Sequence, residues 1–208
     1  AIFFAVAGVL VALFGIGTMT QVNSITGSLQ ASFGTAPEVA SVVIALVVST
    51  IIFGGIHLIS KVSEKVVPFM AAAYIFATVT IIALHLDQLL PALKSVFSGA
   101  FTGTAAMGGF AGATVKMAIQ KGVARGVFSN ESGLGSAPIA AAAAKTNEPV
   151  EQGLISMTGT FIDTIIICSL TGLSLLVSGE WMAKSSTSTL TQDTFTGVFG
   201  PVGGIILT

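Results

Sequence analysis

Five stretches of apolar residues, separated by short polar or charged segments, run along the chain. A transmembrane helix needs about 20 mostly apolar residues, because each residue rises about 1.5 Å and the hydrocarbon core is about 30 Å thick. All five stretches meet this requirement, so we expect one all-helical transmembrane domain. The predicted spans are 1–33, 39–59, 66–86, 95–117 and 153–177.

The composition is that of a membrane protein. Of the 208 residues, 53% are apolar and 8% are charged, and the mean hydropathy is +0.95. Soluble domains carry about 25% charged residues. The net charge of −1 offers no basic surface for nucleic acid, and a single cysteine excludes a disulfide framework or a multi-thiolate metal site. The chain begins and ends within apolar runs, so we expect it to be an internal piece of a longer membrane protein.

The basic residues indicate how the spans are oriented. Six of the eight lie in two connections or, for Lys116, at the end of the adjoining span, and these connections share one side of the membrane if every span crosses once. Basic connections favour the cytoplasmic side. This orientation predicts intracellular linker helices over 126–148 and an extracellular loop over 178–202, in a multi-pass protein of the cell membrane. The predicted cytoplasmic basic residues are Lys61, Lys65, Lys116, Lys121, Arg125 and Lys145.

Glycines are concentrated in span four. One interpretation is close helix packing through pairs of small residues spaced four apart. The other is a broken helix at Gly108-Gly109, since glycine costs about 1 kcal/mol relative to alanine in a helix and unwound backbone offers N–H and C=O groups to a ligand. The adjacent pair, walled by Phe101 and Met107, favours the broken helix. The glycines of this span are Gly99, Gly103, Gly108, Gly109 and Gly112.

Span one carries a dense cluster of polar side chains. Hydrogen bonds between helices, worth about 0.6 kcal/mol on average, explain one or two such residues more easily than the whole set. A hydrated pathway explains the cluster better. Gln21 and Asn23 are its strongest candidates, because an amide both donates and accepts. The cluster comprises Thr18, Thr20, Gln21, Asn23, Ser24 and Thr26.

Span five contains one acid, Asp163, with Thr160 and Thr164 beside it. An ionisable residue inside a span is a candidate cation ligand or proton carrier. The alternative is an acid whose hydrogen bonds fix the packing of its helix. The sequence leaves both interpretations open.

The segment 125–138 is neither a span nor an ordinary loop. Ser129 and Asn130 are expected to cap the N-terminus of a short helix, with Glu131 in its first turn. A second helix is expected over 138–145 because a proline suits its first turn. The segment has no nucleophile elbow and no phosphate-binding loop, so we do not predict an enzyme.

Several motifs are specific enough to suggest a family. They are 125–138 with the alanine run that follows it, Gln21-Val-Asn-Ser, Gly54-Gly55-Ile56, Pro68-Phe69-Met70, Gly108-Gly109, Glu151-Gln152-Gly153 and Phe161-Ile-Asp-Thr. Together they closely resemble the alanine or glycine:cation symporters. The resemblance implies uptake of small neutral amino acids, alanine or glycine, with Na⁺ as the coupling ion and no other cofactor.

The resemblance also implies a fold and a site. The fold is the leucine-transporter type of the APC superfamily, an all-α bundle of two inverted five-helix repeats, of which this chain would form core helices three to seven of ten. Span four would be the discontinuous sixth helix. Thr102 is the implied sodium ligand, and Asp163 is a further candidate. The implied substrate-binding residues are Gln21, Asn23, Phe101, Thr104, Met107, Gly108 and Gly109.

Two other function classes compete with symport. A passive channel would use repeated rings of carbonyls or charges, whereas this sequence has one glycine break and no ring of charges. A structural membrane subunit would explain the small residues of span four. It would leave the polar cluster of span one without a role.

Overall fold

A computed structural model of the protein describes residues 2–14, 19–101, 115–131, 133, 135, 137–183 and 190–207. The elements in these ranges are helices, as expected where backbone polar groups must pair within their own segment. The helices are α1 Ile2–Phe14, α2 Met19–Phe33, α3 Pro37–Phe53, α4 Gly55–Leu84, α5 Leu86–Phe101, α6 Val115–Ser129, α7 Ala137–Ala141, α8 Pro149–Phe161, the π-helical segment Ile162–Cys168, α9 Ser169–Ser178, α10 Glu180–Ala183, α11 Leu190–Phe199 and α12 Pro201–Leu207.

A tight two-glycine turn joins α3 to α4. Gly55 has a φ of 70°, a backbone region that favours glycine, and a Cβ on Gly54 would collide with the side chain of Leu58. This turn lies inside the predicted second span, 39–59. Helix α4 therefore begins at Gly55 rather than at residue 66.

Helix α4 is longer than a membrane crossing requires. Its 30 residues extend about 45 Å, against a hydrocarbon core of about 30 Å. The basic residues Lys61 and Lys65, expected in a connection between spans, lie in the N-terminal half of this helix. The predicted connection at Lys61 and Lys65 is thus a part of α4 that extends beyond the length of a membrane crossing. In the described ranges, α4 and the continuous helix Pro149–Ser178 are the two helices long and apolar enough to cross a membrane.

Helix α5 begins two residues after α4 ends. Asp87 lies in its first turn, where the helix dipole favours a carboxylate. The Nε2 atom of Gln88 donates to the Asp87 carboxylate at 2.8 Å, and this hydrogen bond holds the pKa of Asp87 below its usual range.

The core forms where α11 packs against α4 and α9. Phe195 is completely buried, and its ring stacks on Tyr74 with centroids 5.7 Å apart and meets Phe199 edge-on at 6.2 Å. The hydroxyls of Tyr74 and Thr171 share a hydrogen bond of 2.6 Å between α4 and α9. The buried side chains of Ile81 and Val177, like Phe195, belong to this core, which also includes Ala92 of α5 and so ties four helices together.

The stretch 178–202, predicted as an extracellular loop, contains helices instead. Its many hydroxyl residues suggested a loop, but Phe195, Val198 and Phe199 recur at the spacing of one helix face. That face packs into the core described above. On which side of the membrane these helices lie stays a prediction.

The two helices expected in the linker region differ from the prediction. Ser129 is the last residue of α6 and Asn130 follows in a turn, so the expectation that they cap the start of a helix is wrong. Apolar residues at helical spacing, Ile119, Val123 and Val127, continue α6 up to this point. Helix α7 is short and ends at Ala141.

We predict that Phe195→Ala destabilises the protein more than Tyr74→Phe does. Removing a buried phenylalanine ring costs about 3–5 kcal/mol, because a cavity remains. Removing only the Tyr74 hydroxyl costs about 0.5–1.5 kcal/mol and keeps the stacked ring. The measurement is thermal unfolding of the full-length protein in detergent. Equal losses of stability in the two variants would contradict this core.

Candidate functional site

The structure describes the side chains of three predicted site residues, Gln21, Asn23 and Asp163. Phe101 is the last residue of α5, and its side chain lies outside the description. The predicted helix break at Gly108-Gly109 therefore stays a prediction. The predicted site residues outside the described ranges are Thr102, Thr104, Met107, Gly108 and Gly109.

Gln21 and Asn23 lie near the start of α2 but on different faces. Residues two apart in an α-helix point about 200° apart, since each residue turns the helix by about 100°. Ser28 follows Gln21 by two turns and shares its face. The structure therefore does not bring the two exposed amides together on one side of α2.

Thr18 of the polar cluster lies outside the described residues, and the other hydroxyl groups of the cluster bond within α2. Thr20 donates to the Gln21 Oε1 atom at 2.9 Å, and Ser24 donates to the carbonyl of Thr20 at 3.0 Å. Thr26, which is buried, donates to the carbonyl of Asn23 at 3.1 Å. Within this cluster, the capacity to bind a ligand thus rests on the amides of Gln21 and Asn23.

Asp163 contacts α6, the helix that precedes the linker. It is half-buried in the π-helical segment, and its Oδ2 atom accepts a hydrogen bond from the Ser129 hydroxyl at 2.6 Å. The acid thus joins two helices. A sodium ion bound at Asp163 would have to share the carboxylate with the Ser129 hydroxyl or displace it.

Asn130 is a polar residue whose role the sequence reasoning missed. Its amide nitrogen donates to the carbonyl oxygen of Gly126 at 3.0 Å. This hydrogen bond lies at the C-terminal end of α6. Its amide oxygen accepts from the Thr164 hydroxyl at 3.0 Å. Both ends of the amide are used, so its orientation is fixed. No periodic pattern in the sequence could reveal a contact between residues 34 positions apart.

Gln192 is a second polar residue that the sequence reasoning missed. It is buried in α11, and its Nε2 atom donates to the carbonyl of Ser28 at 3.2 Å and to the hydroxyl of Ser32 at 3.0 Å. A Cβ on Gly204 would lie 3.0 Å from the Ser32 hydroxyl oxygen, so the glycine permits this close approach. These contacts join the C-terminal end of α2 to α11 and α12.

The whole chain, residues 1–208, matches the sodium:alanine symporter family. It is 49% identical over 207 residues to an uncharacterized transporter of Haemophilus influenzae, covering 99% of this chain and 45% of that protein. It is 46% identical over 201 residues to the sodium/alanine symporter AgcS of Methanococcus maripaludis, covering 95% and 43%. It is 39% identical over 179 residues to the probable sodium/glutamine symporter GlnT of Bacillus subtilis, covering 85% and 37%.

These matches extend over most or all of this chain but over less than half of each relative. They confirm the resemblance found in the motifs between residues 15 and 178. The chain belongs to the sodium:alanine symporter family.

Proposed function

We propose that the protein takes part in sodium-coupled uptake of small neutral amino acids, alanine or glycine, by alternating access across the cell membrane. The observation that carries this proposal is the family match over residues 1–208. The two long apolar helices, α4 and Pro149–Ser178, support a location in the lipid bilayer. In this proposal the protein is a transporter and not an enzyme, and Na⁺ is the coupling ion.

The proposed fold is the leucine-transporter type, with this chain supplying core helices three to seven of ten. Contacts within the chain support the orientation that this fold requires. If the first span runs outward, Ser28 and Ser32 lie near the outer side, as does the stretch that follows α9. Gln192 in that stretch bonds to both serines. The predicted basic connections, 61–65 and 116–145, would then be cytoplasmic.

The proposed binding site combines α2 with the glycine-rich part of span four. Gln21 or Asn23 would present an amide from α2, since the two lie on different faces of that helix. An unwound backbone at Gly108-Gly109 would offer N–H groups near the positive end of the half-helix that follows. Phe101, Thr104 and Met107 would complete the pocket, with Thr102 as the proposed sodium ligand.

We expect labelled alanine to enter vesicles containing the full-length protein when a sodium gradient is imposed, and to stop when the gradient is collapsed. Glycine should compete with alanine. Leucine and glutamine should bind about five- to a hundredfold more weakly, because overfilling a tight site costs about 1–3 kcal/mol. Alanine uptake that is equal with and without a sodium gradient would contradict symport. Leucine competing as well as glycine would contradict the small pocket.

Asp163→Asn should change the sodium concentration needed for alanine binding by no more than about fivefold, because it weakens one hydrogen bond between helices and removes no sodium ligand. Asparagine keeps an oxygen that can accept the hydrogen bond of Ser129, whereas the negative charge is lost. Stability should fall by about 1 kcal/mol, because hydrogen bonds to charged groups are stronger than neutral ones. Sodium titration of alanine binding and thermal unfolding of the purified variant test this. The matched control is Asp87→Asn, at the exposed start of α5.

If the Asp163→Asn variant needs a much higher sodium concentration for alanine binding and keeps normal stability, Asp163 binds the coupling ion. That result would replace the packing role with the ligand role.

Gly108→Ala and Gly109→Ala should weaken alanine binding more than glycine binding, with nearly normal folding. Each change raises helix propensity by about 1 kcal/mol and adds a methyl group where the substrate side chain would lie. Affinities for both amino acids and the melting temperature are the measurements. Gly99→Ala, at a predicted packing glycine of the same span, is the control and should affect both substrates alike. Equal losses for the Gly108 and Gly109 variants, with a large drop in melting temperature, would assign this pair to helix packing.

A further inference from the structure

Two side-by-side hydrogen bonds join α6 to the π-helical segment. Ser129 and Asn130 are neighbours at the C-terminal end of α6, and Asp163 and Thr164 are neighbours in the segment. Ser129 donates to Asp163 at 2.6 Å, and Thr164 donates to Asn130 at 3.0 Å. One bond runs in each direction, so each element supplies one donor and one acceptor. These four residues are called the clasp below.

The π-helical geometry favours the approach of neighbouring side chains to the same partner. Neighbours in an α-helix diverge by about 100°. A π-helix closes its hydrogen bonds from residue i to i+5 and spreads more residues over each turn. Asp163 and Thr164 therefore diverge less than they would in an α-helix. Such π-helical turns are rare and occur frequently at functional sites.

The Thr164 hydroxyl differs from other threonine hydroxyls of the same continuous helix. Thr158, Thr160 and Thr171 each donate back to a carbonyl four residues earlier, at 2.7–3.4 Å. Thr164 instead donates to Asn130 in another element. A threonine in a helix has an intrahelical partner within reach. The Thr164 contact can therefore be exchanged for a local one without leaving the hydroxyl unsatisfied.

Among the described residues, α6 packs mainly against the π-helical segment. Ile119, Val123 and Val127 of α6 are exposed in this chain. Just beyond the clasp, Glu131 has a φ of 51°, a conformation that is uncommon for a residue other than glycine. Strained residues of this kind are found at switch regions. The end of α6 is thus held by a small number of polar contacts next to a strained turn.

We propose that the clasp holds α6 against the π-helical segment in one conformation of the transport cycle and opens in the other. This inference rests on the proposed alternating-access function. Ser129, Asn130, Asp163 and Thr164 are then positioning residues that set the ratio of two conformations without touching the substrate. Opening exchanges two interhelical hydrogen bonds for local or water-mediated ones, so the two conformations can remain close in free energy.

The experiment measures the distance between spin labels at Val123 in α6 and Leu154 in α8, both exposed in this chain. The full-length protein is used, with Cys168 and any further native cysteine replaced, with and without Na⁺ and alanine. We expect two distance populations whose ratio changes with the ligands. Ser129→Ala and Thr164→Val should each lower the clasped population about three- to tenfold relative to the open one. Ser129→Ala should have the larger effect, because its partner is a carboxylate.

Conservative variants and a matched control separate a positioning role from general damage. Ser129→Thr and Thr164→Ser keep the hydroxyls and should restore the wild-type ratio. Thr158→Val removes a threonine hydroxyl from the same continuous helix, one that bonds only within that helix, and should leave the ratio unchanged. A lowered melting temperature with an unchanged ligand response would indicate a merely structural contact and overturn the proposal. So would a Thr158→Val effect as large as that of Thr164→Val.

Failure of the clasp and failure of the proposed function give different results. Sodium-driven alanine uptake by the wild-type protein tests the function alone. If uptake is present and Ser129→Ala and Thr164→Val show wild-type distances under all conditions, the clasp is wrong and the transport function stands. If uptake is absent, there is no transport cycle in which the clasp could act, and the clasp proposal fails together with the proposed function.

Discussion

Polar groups placed in an apolar environment must find hydrogen-bond partners, and this constraint organises the structure. Many helical hydroxyls in the described ranges meet it locally by donating to a carbonyl three or four residues earlier, as Ser41, Thr50, Thr78 and Thr194 do. Within the described ranges, no buried side-chain nitrogen or oxygen lacks a partner. Because local bonding satisfies so many groups, the polar contacts that do cross between helices stand out as specific joints.

Three joints in the part of the chain that the structure describes illustrate this. The Tyr74–Thr171 bond lies within the aromatic core, where shape and ring stacking already hold α4, α9 and α11 together. Gln192 joins α11 to α2 at a buried position. The bonds from α6 to the π-helical segment lie in a more exposed place with little apolar packing around them. The first two joints are thus reinforced by burial, whereas the third depends on polar geometry alone.

The sequence predicted the elements that depend on local composition and missed those that depend on long-range pairing. Apolar length was enough to predict helices over most of the spans. Because Lys61 and Lys65 are charged, the sequence predicted a connection between two spans at these residues. A helix can nevertheless continue from the membrane into water. The hydroxyl-rich stretch around α11 concealed an apolar face formed by three residues. The partnership of Asp163 with Ser129 depends on a π-helical turn and on two segments meeting in space, and neither leaves a periodic pattern.

The joint between Gln192 and α2 has a consequence for synthesis in the cell. Ser28 precedes Gln192 by 164 residues. At about 5–20 residues per second, a ribosome needs roughly ten to thirty seconds to make the intervening chain. Throughout that interval α2, with its amides and hydroxyls, exists in or near the membrane before its buried partner has been made. Until the later helices arrive, water or a protein that guides insertion must take the place of the Gln192 amide beside Ser28 and Ser32.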